Sequence, residues 1–481
     1  MRNKILLLFI VIVTVLFYYA APETKSLFFI STAVVISILV LFGHYFFNDG
    51  SLLRRKFFHP SLLFIIPFYI VSFQFIIDFL LKNLIEEDLK DIFSSFQNTN
   101  RAIAISLMAF TSLIAGYGFS KKDRMKSSKQ VILNKKIPSL FTFLALISFI
   151  LFLYFVGTEF LSGKYQDTSN WNRGSAWFHK FFELFLFSAY VYKIGINRNK
   201  IDSIKSYLKF LGFPIIVITF LYLTIFGLIG DRGPMLTFIT LFLCSYFYLT
   251  RAKIKFVPLI SLLLIITVTF NFIGFFRNKD ETNLLNAFIN REQVKSISPN
   301  TYELAGSIKP LSIAIETVPK VEPYRYGMFQ FNQIMVAFPG LFGIYFEAIG
   351  FDTKQDSRLL DSANYLTNIY LGKYSSWGIG TNPVADIYLD FGPIGVCISF
   401  FLFGIFLKKL DNNFHKNRIT MVSLIILFMY SSRLVYLSRS TLLTPVSDII
   451  QLLLIYFIIS LFSSKRNEST LYSRELEFRR H

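Results

Sequence analysis

The chain has 481 residues, of which 53% are hydrophobic and 18% aromatic, and its formal net charge is +19 at pH 7. A mean hydropathy of +0.51 beside a pI near 9.6 excludes an ordinary soluble protein and favours a membrane protein with basic loops. Nucleic-acid binding is also disfavoured, because the basic residues are spread over many segments instead of forming one patch.

The chain contains twelve apolar segments that are long enough to cross a hydrocarbon core of about 30 Å as helices. We therefore predict an all-α, polytopic integral membrane protein with about twelve transmembrane helices. The predicted spans are 4–21, 27–47, 60–81, 102–119, 138–157, 178–196, 210–229, 234–250, 256–276, 385–407, 419–436 and 442–462. This pattern divides the chain into helices one to nine (1–276), a large loop (277–383), helices ten to twelve (384–464) and a basic tail (465–481).

The distribution of lysine and arginine predicts the orientation. With Met1 in the cytoplasm, strongly basic segments such as 121–136 and 251–255 fall on the inner side, and the short outer loops hold few basic residues. An excess of positive charge marks cytoplasmic loops. We therefore expect both termini to be cytoplasmic and the large loop to be periplasmic.

The large loop is long enough to carry a function of its own. Segment 327–350 is apolar but is interrupted by Pro339, Gly340 and Gly343, which favours an interfacial or re-entrant helical hairpin over a regular span. Segment 359–372 predicts an amphipathic helix. The apolar face of that helix would contain Leu359, Leu360, Ala363, Leu366, Ile369 and Tyr370. Such helices could hold a polar, lipid-borne substrate over a site at membrane level.

Arginines on the outer side are candidates for binding an anionic group. Arg232 lies in a short Gly-Asp-Arg-Gly-Pro turn, next to the N-terminus of the eighth span. A guanidinium beside free helical N–H groups suits a phosphate or pyrophosphate. The alternative is an interfacial arginine beside a turn aspartate. Arg325 and Arg358, in the large loop, could contact substrate or could be surface charges. Arg433 and Arg439 bracket the end of the eleventh span, and Arg433, about a turn inside the membrane, would need to pair with Asp386 or with a bound anionic ligand.

Two acids lie where the large loop becomes the tenth span. Asp386 and Asp390 are four residues apart and therefore share one face of a helix. A carboxylate at the edge of the membrane needs a partner or a task. Both acids could act as acid/base residues or could be counter-ions for arginines, with Asp390 pairing with Arg433. The loop lacks histidine and metal-ligand spacing, so we predict no metal site.

Several short motifs follow one another in a recognisable order. They are GDRGPML (230–236), YGMFQFNQIMVAFPG (326–340), GIGTNPVADIYLDFGPIG (378–395) and Gly404. This series resembles the Wzy-type O-antigen polymerases, also called oligosaccharide repeat unit polymerases, most closely over 225–410. The chain departs from the family in having Asp386 where a glutamate is common, and in lacking paired Arg-x10-Gly motifs.

The resemblance implies a helical glycosyltransferase of the GT-C type in the bacterial cytoplasmic (inner) membrane. Such an enzyme moves a growing glycan from undecaprenyl pyrophosphate onto the next lipid-linked repeat unit at the periplasmic face, without cofactor or metal. The product would be O-antigen lipopolysaccharide, capsule or another polysaccharide. The implied partners are the undecaprenyl-pyrophosphate-linked oligosaccharide, the bilayer, a chain-length regulator and a flippase, with no nucleic acid.

The chemistry of such a reaction suggests roles for the candidate residues, although the family's arginine roles are not carried over because the paired motifs are lacking. Asp386 and Asp390 are the expected catalytic residues. The pyrophosphate would be bound by arginines, namely Arg232, Arg325, Arg358, Arg433 and Arg439. Aromatic rings would stack on sugars, with Tyr326, Trp377 and Tyr388 as candidates and Tyr324 beside them.

Two other functions are compatible with a polytopic helical protein. An O-antigen ligase would share the fold and the donor, but a histidine is expected in its large loop, and none of the five histidines lies there. A lipid-linked oligosaccharide flippase or other transporter tends to show internal repeats and short loops on both sides. The chain shows no repeat, and its long loop is predicted on one side.

Overall fold

A computed structural model gives the fold, and all regular secondary structure in the residues that it describes is helical. These residues are 2–47, 58–120, 136–157, 160, 171, 174–196, 201–229, 231–250, 296–348, 350, 358–373, 375, 377–416 and 419–461. The ninth predicted span (256–276), the start of the large loop (277–295) and the basic tail (465–481) lie outside these ranges.

The described residues contain seventeen helices of eight or more residues, which we number in chain order. The first ten are α1 (Arg2–Tyr19), α2 (Leu27–Phe47), α3 (Leu62–Leu80), α4 (Glu86–Phe93), α5 (Phe96–Phe119), α6 (Ile137–Phe155), α7 (Ser175–Ile196), α8 (Ile204–Leu211), α9 (Phe213–Ile229) and α10 (Arg232–Thr250). The others are α11 (Lys309–Thr317), α12 (Met328–Met335), α13 (Pro339–Ala348), α14 (Ser362–Leu371), α15 (Pro383–Phe414), α16 (Met421–Leu437) and α17 (Val446–Leu461).

Helices occupy the predicted spans that fall within the described ranges. Six of them, α2, α3, α5, α6, α10 and α15, are long and apolar enough to cross a membrane. A seventh span results if α8 and α9, which meet at an angle of 96°, count as one broken span. Three more apolar helices are shorter: α1, α16 and α17. The all-helical class and a multi-pass membrane protein are thus confirmed, and the count of twelve spans stays a prediction.

The described residues form two compact units. The first unit contains those within 2–120, 296–414 and 433–444, and its central helix is α5, which is buried along most of its length. Helix α15 packs closely against α5. A methyl group added to Gly116 of α5 would lie 1.9 Å from the carbonyl oxygen of Phe401, and one added to Gly404 of α15 would lie 2.1 Å from that of Leu113. These glycines therefore permit direct backbone contact, as in other close pairs of membrane helices.

Helix α15 is broken near its beginning. Gly392 has φ 65° and ψ −165°, a conformation that interrupts the helical path and that only glycine adopts readily. The break leaves a short first segment, residues 383–391, ahead of the long segment that packs on α5. Asp386 and Asp390 both lie in this first segment and not in the long one. The tenth predicted span (385–407) therefore contains a break that hydropathy alone did not indicate.

The second unit contains the described residues within 136–250, 415–432 and 445–461. Its core is aromatic and centres on Tyr222 of α9, whose ring lies 4.4 Å from that of Phe226 and 4.8 Å from that of Phe182. The hydroxyl of Tyr222 contacts His179 at 2.9 Å and donates to Glu183 at 3.1 Å. These bonds satisfy polar groups that would otherwise be costly inside the unit.

The described part of the large loop is folded into short helices. The apolar segment 327–350 forms two helices, α12 and α13, on either side of residues 336–338. The predicted amphipathic helix is present as α14, and Asp361 caps its N-terminus by accepting a 2.8 Å hydrogen bond from the N–H of Asn364. Ser362, Tyr365 and Leu366 of this helix are buried, while Ile369 and Tyr370 are exposed.

Candidate functional site

The first segment of α15 is anchored at its start by Asn382. The side-chain oxygen of Asn382 accepts hydrogen bonds from the N–H groups of Val384 (3.1 Å) and Ala385 (2.9 Å). Its amide group donates to the carbonyl of Ser307 at 2.8 Å. An asparagine in this position satisfies two of the free N–H groups of a helix N-terminus. Asn382 therefore caps the segment that carries both candidate acids and also joins this segment to Ser307 of the large loop.

Asp386 is completely buried, and its carboxylate accepts hydrogen bonds from neutral donors. Ser362 of α14 donates to Oδ1 at 2.6 Å, and the side-chain amide of Gln330 of α12 donates to Oδ2 at 2.6 Å. The amide of Gln333 lies 3.2 Å from Oδ1 and 3.4 Å from Oδ2. Side chains of two helices, α12 and α14, thus enclose the carboxylate that α15 carries.

A fourth element reaches the same cluster. The hydroxyl of Thr441, in the segment after α16, donates to the side-chain oxygen of Gln333 at 2.5 Å. This bond fixes the orientation of the Gln333 amide, whose NH₂ group must then face Asp386. Arg439 lies two residues before Thr441 and is exposed. The structure therefore places the segment that carries Arg439 next to Gln333, one of the side chains that bind Asp386.

Asp390 has a different environment from Asp386, although both are buried and share a helix face. Its carboxylate accepts hydrogen bonds from the backbone N–H groups of Phe329 (3.3 Å) and Gln330 (3.0 Å), in the first turn of α12. A carboxylate at a helix N-terminus satisfies free N–H groups and interacts favourably with the helix dipole. Asp390 thus caps α12, and this contact gives the carboxylate partners in the loop.

The loop caps the first segment of α15 in return. The N–H groups of Arg325 and Tyr326 donate to the carbonyls of Leu389 and Asp390, both at 2.9 Å. These carbonyls lie just before the break at Gly392, where a helix end leaves carbonyl groups without partners. The loop thus supplies donors for the carbonyl groups at the end of the first segment of α15. In return, Asp390 of that segment accepts hydrogen bonds from the N–H groups at the start of α12.

The five candidate arginines fall into different environments. The guanidinium of Arg325 forms an ion pair with Glu322 and lies 4.7 Å from the ring centre of Tyr365. Tyr365 also donates to Glu322 at 2.9 Å, and burial raises the pKa of Tyr365 to about 12, so it remains a donor at neutral pH. Arg325 is therefore engaged within the loop.

The other arginines are distributed over both units. Arg232 is half-buried and is the first residue of α10 in the second unit, where Asp231 accepts a 3.1 Å hydrogen bond from the N–H of Gly233. Arg433 is half-buried in the first unit. Arg358 and Arg439 are exposed, and each is within four residues of a side chain in the Asp386 cluster, Ser362 or Thr441 respectively.

The candidate sugar-stacking residues differ in exposure. The side chains of Tyr326 and Trp377 are mostly exposed, with exposed fractions of 79% and 60%. Tyr388 is buried, and its hydroxyl donates to the carbonyl of Val318 at 3.2 Å. Tyr326 and Trp377 can therefore meet a ligand from the surface, whereas Tyr388 can meet one only inside a cavity.

Sequence reasoning missed the polar residues that surround Asp386: Gln330, Gln333, Ser362 and Thr441. One signal for two of them was present, since Gln330 and Gln333 are three residues apart in a mostly apolar segment. Polar residues at that spacing share one face of a helix. Ser362 and Thr441 carry no such signal, because their role depends on contacts between distant segments.

Comparison with known families identifies the chain at family level. The family model of the O-antigen polysaccharide polymerase Wzy matches residues 2–466. Comparisons with curated proteins and with solved structures gave no match. The matched region includes the Asp386 cluster, all five candidate arginines and the described helices of both units. The chain therefore belongs to the O-antigen polysaccharide polymerase Wzy family.

Proposed function

We propose that this membrane protein transfers a growing glycan from undecaprenyl pyrophosphate onto the next lipid-linked repeat unit at the periplasmic face of the bacterial inner membrane. Membership of a polymerase family that acts on lipid-linked repeat units supports the reaction class. A buried carboxylate that is enclosed by helices of the large loop is the single observation that supports a chemical site at Asp386.

In the proposed reaction a hydroxyl oxygen of the acceptor sugar attacks the anomeric carbon of the donor. A new C–O bond forms while the bond between that carbon and the pyrophosphate oxygen breaks, and the pyrophosphate leaves with the electron pair. Asp386 accepts the proton that the hydroxyl loses. Gln330, Gln333 and Ser362 position the carboxylate, and the acceptor must displace at least one of them because Asp386 is completely buried.

Arginines would neutralise the charge that develops on the departing pyrophosphate. Arg439 and Arg358 are the strongest candidates in the first unit, since both are exposed beside segments that hold Asp386. Arg232 is the candidate in the second unit because it lies at a helix N-terminus. Arg325 already forms an ion pair with Glu322, which gives it a structural role. Arg433 lies within α16 and not in the segment that carries Thr441.

The test of the acid is a substitution of nearly equal shape that removes the charge and replaces one acceptor oxygen with an NH₂ group. Asp386→Asn should abolish polymerisation in a complemented deletion strain, leaving single repeat units on the acceptor and a normal amount of folded protein. The matched control is Asp411→Asn, since Asp411 is equally buried in α15 but binds Ser61 and Tyr117 instead of the loop. Normal polymer from Asp386→Asn, or equal losses per folded protein in both variants, would contradict the proposal.

The arginine proposal has a separate test. Arg232→Ala and Arg439→Ala should each stop elongation at normal protein level, and the corresponding lysine variants should restore it only in part. Lysine keeps the charge but cannot form the bidentate contact. Lys90→Ala, an exposed cation on α4, should leave elongation unchanged. Full activity of either arginine-to-alanine variant would remove that residue from the pyrophosphate site.

A further inference from the structure

A second site is suggested by a cavity of about 490 Å³ beside the break in α15, wholly within the first unit. Its lining includes Tyr18 and Tyr19 at the end of α1, Arg101 of α5, Lys320 and Tyr324 of the loop, and Tyr388 of α15. The volume lies within the range of roughly 300–1,000 Å³ that is typical of small-ligand sites. The cavity thus has the size of a ligand site and is built from four elements.

This cavity is separate from the Asp386 cluster. Successive residues of a helix are about 100° apart, so Tyr388 lies on the opposite face of the first segment of α15 from Asp386 and Asp390. The carboxylates face α12 and α14, whereas Tyr388 faces the cavity and Val318. One short helix therefore separates two polar sites.

The tyrosines of the cavity offer flat faces and hydroxyl groups. The rings of Tyr324 and Tyr388 are 6.0 Å apart and nearly perpendicular, and Tyr18 and Tyr324 both interact with the side chain of Tyr388. Gly392 makes room for this arrangement, because a methyl group there would lie 2.9 Å from the Tyr324 ring. Aromatic faces next to hydroxyl groups suit a sugar ring, which has both C–H surfaces and hydroxyls.

The charges of the cavity point to an anion. Of the described residues that line it, Arg101 and Lys320 are cationic and none is acidic. Within the part of the chain that the structure describes, neither cation forms a salt bridge. Aromatic residues at a membrane interface are common and would not by themselves indicate a ligand. Two cations that have no acidic partner among the described residues are not explained by that tendency, and they favour binding of a carboxylate or phosphate.

We infer that this cavity binds a negatively charged sugar of the lipid-linked glycan, with the tyrosines against the ring and Arg101 and Lys320 at its anionic group. The inference rests on the proposed function for the identity of the glycan. The anion could be the carboxylate of an acidic sugar within the repeat unit or the phosphate on the reducing-end sugar. Both belong to one ligand chemistry, an anionic pyranose.

The test is direct binding by the full chain in lipid nanodiscs, measured by saturation-transfer NMR. The probes are methyl glucuronide, methyl galacturonide, glucose 1-phosphate and the neutral methyl glucoside. We expect transfer to the ring protons of at least one anionic probe and little to the glucoside. Lys320→Gln and Arg101→Gln should each weaken binding about tenfold, the usual effect of losing one charge-assisted contact. Lys90→Gln should bind as the unaltered protein does.

Each outcome bears on the inference. Preference for a uronide identifies an acidic sugar within the glycan, and preference for glucose 1-phosphate identifies the reducing-end sugar phosphate. Equal transfer to the glucoside and the anionic probes, no binding of any probe, or unchanged binding by Lys320→Gln would overturn the inference. Lys320 is exposed, so its variant tests the site without disturbing the fold.

The readout also separates this inference from the proposed function. Asp386→Asn should bind the anionic probes normally, because it alters the opposite face of the helix. If Asp386→Asn is inactive and no variant binds the probes, the proposed reaction stands and the cavity assignment fails. If the probes bind through Lys320 and Asp386→Asn still polymerises, the cavity assignment stands and the proposed role of Asp386 fails.

Discussion

The side-chain amide of Gln330 donates a 2.6 Å hydrogen bond to Asp386, although the two residues are 56 positions apart in the chain. The backbone N–H of the same glutamine donates to Asp390 at 3.0 Å. One residue of the large loop therefore contacts both acids at the start of α15. This relationship makes the loop part of the site and leads to the first two predictions.

Gln330→Glu should stop polymerisation, because it places a second carboxylate against buried Asp386 and like charges in contact are strongly unfavourable. Gln330→Leu should reduce the rate about tenfold, since loss of one hydrogen bond of about 1–1.5 kcal/mol leaves Asp386 less well positioned. The measurement is glycan chain length per amount of folded protein. Gln97→Leu is the control, because Gln97 donates to the exposed carboxylate of Glu23. Normal chain length from Gln330→Glu would contradict the site.

Asp390→Ala should lower stability by about 1 kcal/mol or more, the usual loss when a helix N-terminal acceptor is removed. Asp390→Asn should have a smaller effect, because its single side-chain oxygen can still accept from one of the N–H groups of Phe329 and Gln330. The measurement is the apparent Tm in detergent. Ser203→Ala provides the comparison, since Ser203 caps α8 from an exposed position. An Asp390→Ala protein with normal Tm but no polymerisation would instead place Asp390 in the reaction.

Gly116→Ala and Gly404→Ala should each reduce the yield of folded protein strongly. Each added methyl group would lie about 2 Å from a carbonyl oxygen of the facing helix, so α5 and α15 would have to separate. Overpacking of this kind costs about 1–3 kcal/mol or more. Gly43→Ala in α2 is the matched control, because no atom of another described element lies within 4 Å of the added carbon. Equal yields of all three variants would argue against close contact between α5 and α15.

The predicted orientation is tested by reporter fusions. Fusions after Lys136, Lys209 and Lys255 should report the cytoplasm, and fusions at Asn98, Asp167 and Ser298 should report the periplasm. The physical reason is the retention of lysine-rich and arginine-rich loops on the cytoplasmic side. A single fusion with the opposite result would break the twelve-span arrangement on which the periplasmic location of the large loop depends.

The helical class and the positions of the helices followed from the sequence, because hydropathy and segment length are local properties. A stretch such as 27–47 or 137–155 must satisfy its backbone internally in lipid, and a helix does this with neighbouring residues alone. The family resemblance also rested on short contiguous motifs, and the family match over 2–466 confirmed it. The break at Gly392 was not predicted, since glycine and proline also occur in unbroken helices.

The environments of the two acids depended on the tertiary structure. Spacing placed Asp386 and Asp390 on one helix face, but it carried no information about what that face meets. The fold puts Gln330, Gln333 and Ser362 around Asp386 and the N-terminus of α12 against Asp390. These contacts join residues 24 to 61 positions apart. The sequence by itself thus determined the helices and the family, while only long-range packing decided which neighbours each carboxylate has.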